Sequence, residues 1–126
     1  MLYKLFFLIS FILLPSYANT EEIWNIEDEV AAFFVCKTER DIMDLVMADS
    51  KSQESFAGKV VEKKINQDCI KIFPPMKFKV SEIISSYKDH RKITNTVLKV
   101  KSSINDMLVG YIIVKGIPAT PKQNSL

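Results

Sequence analysis

The chain has 126 residues, is 48% hydrophobic and carries a formal net charge of +2 at pH 7. This length fits one domain with a single core. With only three glycines, a glycine-rich phosphate-binding loop is nearly excluded, and one histidine with two cysteines falls short of a zinc ligand set.

The first 18 residues are typical of a secretory signal peptide. Lys4 supplies the positive charge, Leu5 to Leu14 are uninterruptedly apolar, and small residues follow at Ser16 and Ala18. The apolar run is about half of the roughly 20 residues that a membrane-spanning helix needs. We therefore expect cleavage and export, to the periplasm or outside, with no stable transmembrane segment afterwards. A buried N-terminal strand or helix is the alternative.

The two cysteines, Cys36 and Cys69, lie at the two ends of a predicted helical segment. In an oxidising compartment, two isolated cysteines are most simply a structural disulfide. A C-x-x-C redox motif is absent, and the spacing does not suit a metal site. We predict a bridge that joins the helical segment to the sheet.

The exported chain begins with an acidic leader, residues 19–29, which contains the single tryptophan, Trp24. We expect the leader to be exposed, with Trp24 as a local packing anchor or as a contact for a partner. The domain proper spans residues 30–117 and starts with an apolar run, residues 30–36, whose length and composition favour a buried strand.

Two helices are expected next. Thr38 resembles an N-cap, and apolar residues recur after it at helical spacing through Val46. Residues 54–65 form either a second helix or a loop, because Gly58 lowers the helix propensity. If this segment is helical, Phe56 and Val60 share one side, and three lysines line the opposite face: Lys59, Lys63 and Lys64.

Strands dominate the remainder of the domain. Residues 69–73 and 76–87 alternate on either side of Pro74–Pro75, which marks a corner, and Ile83–Ile84 breaks the alternation and indicates a bulge. His90 lies in a charged turn, where we expect it to be solvated and not catalytic. Two more strands, residues 93–100 and 107–115, precede a flexible tail, residues 118–126.

These elements predict the α+β class: one or two helices packed on a small, strongly bent antiparallel sheet or SH3-like barrel. Residues 97–117 resemble the last strands of bacterial SH3-like domains, because valines precede a short turn and Gly110-Tyr111-Ile112 occupies the glycine–aromatic–aliphatic position. The tryptophan usual after that glycine is missing, and helices interrupt the first strands. The resemblance implies a binding function, often toward cell-wall peptide or a protein.

Charge is unevenly distributed along the exported chain. Residues 19–58 hold ten acids and three bases, whereas residues 59–126 hold thirteen bases and five acids. The two halves could attract each other within the fold, or a basic sheet surface could meet an anionic partner. The candidate partner-binding residues are Lys77, Lys79, Lys99, Lys101, Tyr87, Tyr111 and Trp24.

Three functions are compatible with this sequence. The first is an exported, non-catalytic binding or interaction module of the bacterial envelope, with a protein or envelope component as its partner. The second is an inhibitor or immunity-type protein that blocks an exported enzyme through Trp24 or through the acidic helix start at Glu39, Asp41 and Asp44. The third, an enzyme, lacks support because no recognisable catalytic, cofactor or nucleic-acid-binding motif is present.

Overall fold

The structure is a computed structural model that describes residues 22–104 and 108–119. The predicted signal peptide, the first residues of the leader and most of the predicted tail lie outside the described residues. Two helices pack on a bent antiparallel sheet of four strands, which confirms the α+β class. The elements are β1 (Ile23–Trp24), β2 (Glu29–Cys36), α1 (Glu39–Lys51), α2 (Gln53–Ile65), β3 (Cys69–Lys88), β4 (Thr94–Ser102), β5 (Val109–Lys115) and β6 (Ile117–Pro118).

The two helices form the connection between two neighbouring strands. Strands β2 and β3 are antiparallel partners, and Cys36 lies opposite Cys69 in their register. The predicted disulfide joins these two residues, and the Lys37 N–H donates to the carbonyl of Asp68 at 3.0 Å just beyond it. The bridge therefore fastens the base of the helical hairpin, where the chain leaves the sheet and returns to it.

One long strand, β3, serves two sides of the barrel. Its pairing with β2 is interrupted next to Pro74–Pro75, where neither proline can donate to a ladder. Its pairing with β4 shifts register twice, between Val80 and Glu82 and between Ile83 and Ser85, so the bulge predicted at the double isoleucine is present. Such irregularities bend a strand, and here they allow 20 residues to curve around the barrel.

Capping side chains set the limits of the helices. The Thr38 hydroxyl accepts a hydrogen bond from the Asp41 N–H at 3.1 Å at the start of α1. Ser52 both ends α1 and begins α2: its N–H donates to the Ala48 carbonyl, and its hydroxyl accepts from the Ser55 N–H at 3.0 Å. One residue thus joins two antiparallel helices. The segment over residues 54–65 is helical despite Gly58.

The apolar side chains form two separate cores on the two sides of the sheet. The barrel core lies inside the barrel and includes Val80, Leu98 and Val100. The helix-layer core lies between the outer surface of the barrel and the helices, and it includes Leu45 of α1 and Val97 of β4. Because side chains alternate along a strand, Val97 and Leu98 belong to different cores.

The described part of the leader runs beside the C-terminal end of the domain. Strand β1 pairs in parallel with β6, and the Trp24 indole N–H donates to the Lys115 carbonyl at 2.9 Å. Gly116 has a positive φ of 124°, and a Cβ there would lie 2.6 Å from the Glu22 carbonyl oxygen. Only glycine allows the leader to approach this closely.

Candidate binding groove

A cavity of about 630 Å³ lies between the helices and the barrel. Its size is within the range of small-molecule and cofactor pockets, roughly 300–1,000 Å³. We call it the seam groove. It is lined by Ala31–Phe34 of β2, Ile112–Val114 of β5, Ile42, Leu45 and Asp49 of α1, Gln53, Phe56, Val60 and Lys64 of α2, Lys71 of β3, and Asp89–Arg91 and Asn95 beyond it.

The seam groove exists because the barrel closes incompletely between β2 and β5. Within the described part of the chain, one pair, Cys36 with Tyr111, is the whole ladder between these strands. The close approach there depends on Gly110, because a Cβ at this position would overlap Val35. Continuing the antiparallel register would set Phe34 opposite Ile113. These two residues line the cavity instead.

A bulge in β2 accounts for the separation. The register of β2 with β3 shifts between Ala32 and Phe34, so Phe33 has no direct partner on β3. A bulged strand bends and twists more strongly. Strand β2 accordingly lies apart from β5 on the N-terminal side of Cys36, and Phe33 remains 60% exposed at the groove. The sequence predicted this apolar run as a buried strand. In the structure it is a strand in which buried and exposed residues alternate up to Phe33, and residues 31–34 line the groove.

The helices supply the apolar wall opposite the seam. Gln53, Phe56, Val60 and Lys64 of α2 recur at spacings of three and four residues, so they form one stripe along the helix. At 1.5 Å per residue the stripe is about 16 Å long. Because α2 leads into Cys69, its Lys64 end lies toward the closed end of the seam and its Gln53 end toward the open end.

A hydrogen-bonded polar cluster borders the open end. The Tyr87 hydroxyl donates to Asp49 Oδ2 at 2.6 Å, and His90 Nδ1 lies 3.1 Å from the Asp49 carbonyl oxygen and 3.5 Å from Oδ1. Burial and the adjacent Asp49 carboxylate raise the pKa of Tyr87. These groups bond to one another, so their arrangement fastens the turn after β3 to the end of α1.

His90 was predicted to be solvated, and this was wrong because of the contacts of its neighbour, Asp89. The Asp89 carboxylate is buried and accepts hydrogen bonds from the Arg91 and Ile93 N–H groups and the Asn95 amide. Burial alone would raise the pKa of Asp89, but these hydrogen bonds lower it to about 2. The folded-back turn directs the His90 N–H to the Asp49 carbonyl at 2.9 Å and leaves the imidazole half-buried.

Two lysines border the closed end. Lys64 comes from the last turn of α2, and Lys71 lies opposite Phe34 in the β2–β3 register. Both are exposed, and neither forms an ion pair with any carboxylate of residues 22–104 or 108–119. The charge at this end of the groove is therefore uncompensated by the described residues.

Lys63, one residue before Lys64, is buried and ion-paired, in contrast to Lys64. It is 6% exposed, and its ammonium group lies 2.9 Å from Asp41 Oδ1 and 2.8 Å from Asp44 Oδ2. The hydrogen bond that Lys63 donates to Asp44 raises the pKa of Lys63. The predicted lysine face of α2 is thus split: Lys63 ties α2 to α1, and Lys64 borders the groove. Two acids of the predicted inhibitor surface, Asp41 and Asp44, are engaged in this pairing.

The four lysines predicted to form a basic sheet face lie on neighbouring strands. Lys79 pairs with Lys101 across β3 and β4, and Lys99 lies opposite Tyr111 on β5 with its ammonium group 6.0 Å from the ring centroid. Acids interrupt the surface: Glu29 lies opposite Lys79, and Glu82 lies opposite Lys99. Lys77 is two residues before Lys79 on the same face of β3.

The two other aromatic candidates do not join these lysines. The Tyr87 hydroxyl is committed to Asp49 in the helix layer, and Trp24 packs partly against the barrel core. Sequence reasoning missed the residues that form the groove, above all Phe34, Phe56 and Lys71. A signal existed for Phe56 and Val60, which were predicted to share one side of α2. The prediction of Lys64 on the opposite face was wrong, because Lys64 follows Val60 by four residues and lines the groove beside it. No sequence signal indicated that β2 and β5 would part.

Searches against protein families, curated proteins and solved structures found no match to this chain. The resemblance to bacterial SH3-like domains stays a prediction. In the described residues, no three His, Cys, Asp or Glu side chains are grouped to hold a metal ion. Neither described helix has the length and hydropathy to cross a bilayer.

Proposed function

We propose that this protein is an exported, non-catalytic binding module of the bacterial envelope, and that its ligand occupies the seam groove. The observation that carries the proposal is the cavity of about 630 Å³, whose apolar side chains come from both helices and from two strands that part at the seam. Specific ligand sites combine such apolar walls with a few polar groups at defined positions.

Export is supported by two features. The first 18 residues match a secretory signal in all its regions. Cys36 and Cys69 are bonded and almost solvent-free at the base of the helical hairpin. Such a structural bridge is typical of oxidising compartments.

The absence of a catalytic role is supported by how the polar groups beside the groove are used. Tyr87 and His90 each form a hydrogen bond with Asp49, and the Asp89 carboxylate accepts hydrogen bonds from Ile93 and Asn95. The one hydroxyl among these contacts, that of Tyr87, donates to Asp49, and its raised pKa disfavours the phenolate that nucleophilic catalysis would need. The groups instead hold one end of the groove in shape.

The proposal is tested by titrating the full chain, purified after export, with N-phenyl-1-naphthylamine, a neutral apolar fluorophore. Ala31 is exposed and lines the groove, so Ala31→Trp should fill it and weaken probe binding about tenfold or more. The matched control is Val61→Trp, on the exposed side of α2. Its affinity should equal that of the natural chain.

Equal affinity of the natural chain and the Ala31→Trp variant would remove the groove as the site. Mass spectrometry of the same preparation reports the N-terminus and the thiol state. A chain that retains residue 1 and carries free thiols would overturn export. Thermal melting of both variants confirms that the comparison is made between folded proteins.

A further inference from the structure

The seam groove exposes backbone as well as side chains. Beyond the Cys36–Tyr111 pair, no backbone pairing joins β2 to β5 in the described residues, so residues 32–34 and 112–114 present strand edges toward the cavity. Strand edges carry N–H and C=O groups that gain from pairing with another extended chain. An acyl chain could fill the apolar volume but could not form these hydrogen bonds. An extended peptide could do both.

The dimensions suit a short strand. The helical stripe from Gln53 to Lys64 is about 16 Å long, which corresponds to roughly five residues at 3.3 Å each. Alternate side chains of such a strand would face the apolar wall formed by Phe56 and Val60. In strand addition, main-chain hydrogen bonds provide affinity and the pockets for alternate side chains provide specificity.

The charges set the direction of the strand. The groove is closed at the Cys36–Tyr111 pair, and Lys64 and Lys71 border that end without a carboxylate partner in the described chain. The groups at the open end, Asp49 and His90 among them, are already bonded to each other. A free carboxyl terminus at the closed end would therefore complete the electrostatics of the site.

We propose that the seam groove binds the C-terminal segment of a partner polypeptide as an added strand, parallel to β2 and antiparallel to β5. The terminal carboxylate would lie at Lys64 and Lys71. This proposal rests on the proposed function, because it names the ligand class of the same groove. The C-terminal segment of such a partner would have apolar residues at alternate positions and would contain no proline.

The test uses an acetylated peptide of alternating threonine and valine with a free carboxyl terminus, titrated by calorimetry against the full exported chain. Its C-terminally amidated form should bind about tenfold more weakly, because a charge-assisted hydrogen bond is lost. A form methylated on every second backbone nitrogen should lose about as much, because one edge can no longer pair. Sodium dodecanoate represents an acyl ligand.

Protein variants locate the contacts. Changing both lysines, Lys64→Gln with Lys71→Gln, should abolish the preference for the free carboxyl form and leave affinity for the amide unchanged. The charge-matched control, Lys51→Gln with Lys88→Gln, changes two exposed lysines that are not part of the groove lining and whose neighbours Asp49 and Asp89 lie at the open end. It should keep the preference. Hydrogen exchange should show new protection at residues 32–34 and 112–114 when the peptide binds.

The outcomes distinguish a failure of the added-strand proposal from a failure of the proposed function. If the fluorophore binds in the groove but none of the peptides does, or if dodecanoate displaces the fluorophore and the peptide does not, the added strand is overturned and the groove remains a binding site. If neither the fluorophore nor any peptide binds, the proposed function fails. Equal affinity for acid and amide overturns the role of Lys64 and Lys71.

Discussion

The barrel core and the helix-layer core share one sheet but differ in how completely they are filled. In the barrel core, Val80, Leu98 and Val100 are each 0% exposed. In the helix-layer core, Leu45 and Val97 are equally buried, but Phe34 and Phe56 beside them are only partly covered and line the seam groove. The comparison indicates that stability is concentrated inside the barrel, whereas the helix layer leaves room for a ligand.

The helix layer also differs in what holds it in place. The disulfide between Cys36 and Cys69 fastens its base, and Lys63 joins α2 to α1 through two carboxylates. The polar cluster of Asp49, Tyr87 and His90 fastens its far end. These local connections compensate for packing that a groove interrupts. Each of the following predictions removes one feature of the barrel core or one of the contacts that hold the helix layer and the adjoining turn.

The largest effect is expected inside the barrel. Leu98→Ala should lower the free energy of unfolding by about 3–5 kcal/mol, because a fully buried leucine is lost and a cavity is left in a closely packed interior. Urea denaturation followed by circular dichroism measures the loss. Leu108→Ala, at an exposed leucine, is the control and should change the value by about 0.5 kcal/mol or less. Similar losses for both variants would contradict the contrast between the cores.

Removal of the disulfide should be almost as costly. Replacing both cysteines, Cys36→Ala with Cys69→Ala, should lower the free energy of unfolding by about 3–4 kcal/mol, since the bridge closes a loop with a sequence separation of 33. Hydrogen exchange should then accelerate more in α1 and α2 than in β4. Uniform acceleration in all elements would mean that the bridge supports the barrel and the helix layer equally.

Acid should weaken the polar end of the groove through Asp89. Its pKa of about 2 in the folded chain lies below the ordinary value of 3.8, so its carboxylate stabilises the fold above about pH 4, and this stabilisation is lost as the pH falls toward 2. The amount is about 2 kcal/mol. The free energy of unfolding of Asp89→Asn should therefore fall less steeply over this pH range than that of the natural chain. Parallel pH profiles would contradict the assignment.

Much of the fold could be predicted because local patterns and local structure agree. Thr38 begins a helix for the reason its position suggests, and Ile83–Ile84 marks a bulge because an interrupted alternation has few other solutions. The cysteines were predicted to pair because two isolated cysteines in a chain with a predicted export signal are most simply a structural disulfide. Each of these inferences depends on neighbouring residues in the sequence or on the number of cysteines.

The groove could not be predicted because it arises where two strands that are distant in sequence, β2 and β5, do not pair. No local pattern shows that β2 lies apart from β5 on the N-terminal side of Cys36, since the bulge at Phe33 lies within an uninterrupted apolar run. The turn at His90 was likewise misjudged, because its charges suggested solvent, whereas Asp89 is buried and bonded to its own turn. Burial of a charge depends on partners that only the folded chain brings together.

The smallest expected effect tests whether position, not charge, determines what a lysine contributes to the helix layer. Lys59 and Lys63 lie one turn apart on α2, and both form ion pairs. Among the described residues, Lys59 pairs with Glu62 alone, on the same helix, at 3.2 Å and with both side chains partly exposed. Lys63→Met should lower the free energy of unfolding by about 1 kcal/mol, because hydrogen bonds from a buried ammonium group to Asp41 and Asp44 are lost. Lys59→Met should cost about 0.3 kcal/mol, as exposed pairs do. Urea denaturation at low and high salt measures both, and the Lys63 loss should survive salt. Equal, salt-sensitive losses would show that the connection between the helices is ordinary surface pairing. The helix layer would then depend on its disulfide, its partial core and the polar cluster of Asp49, Tyr87 and His90.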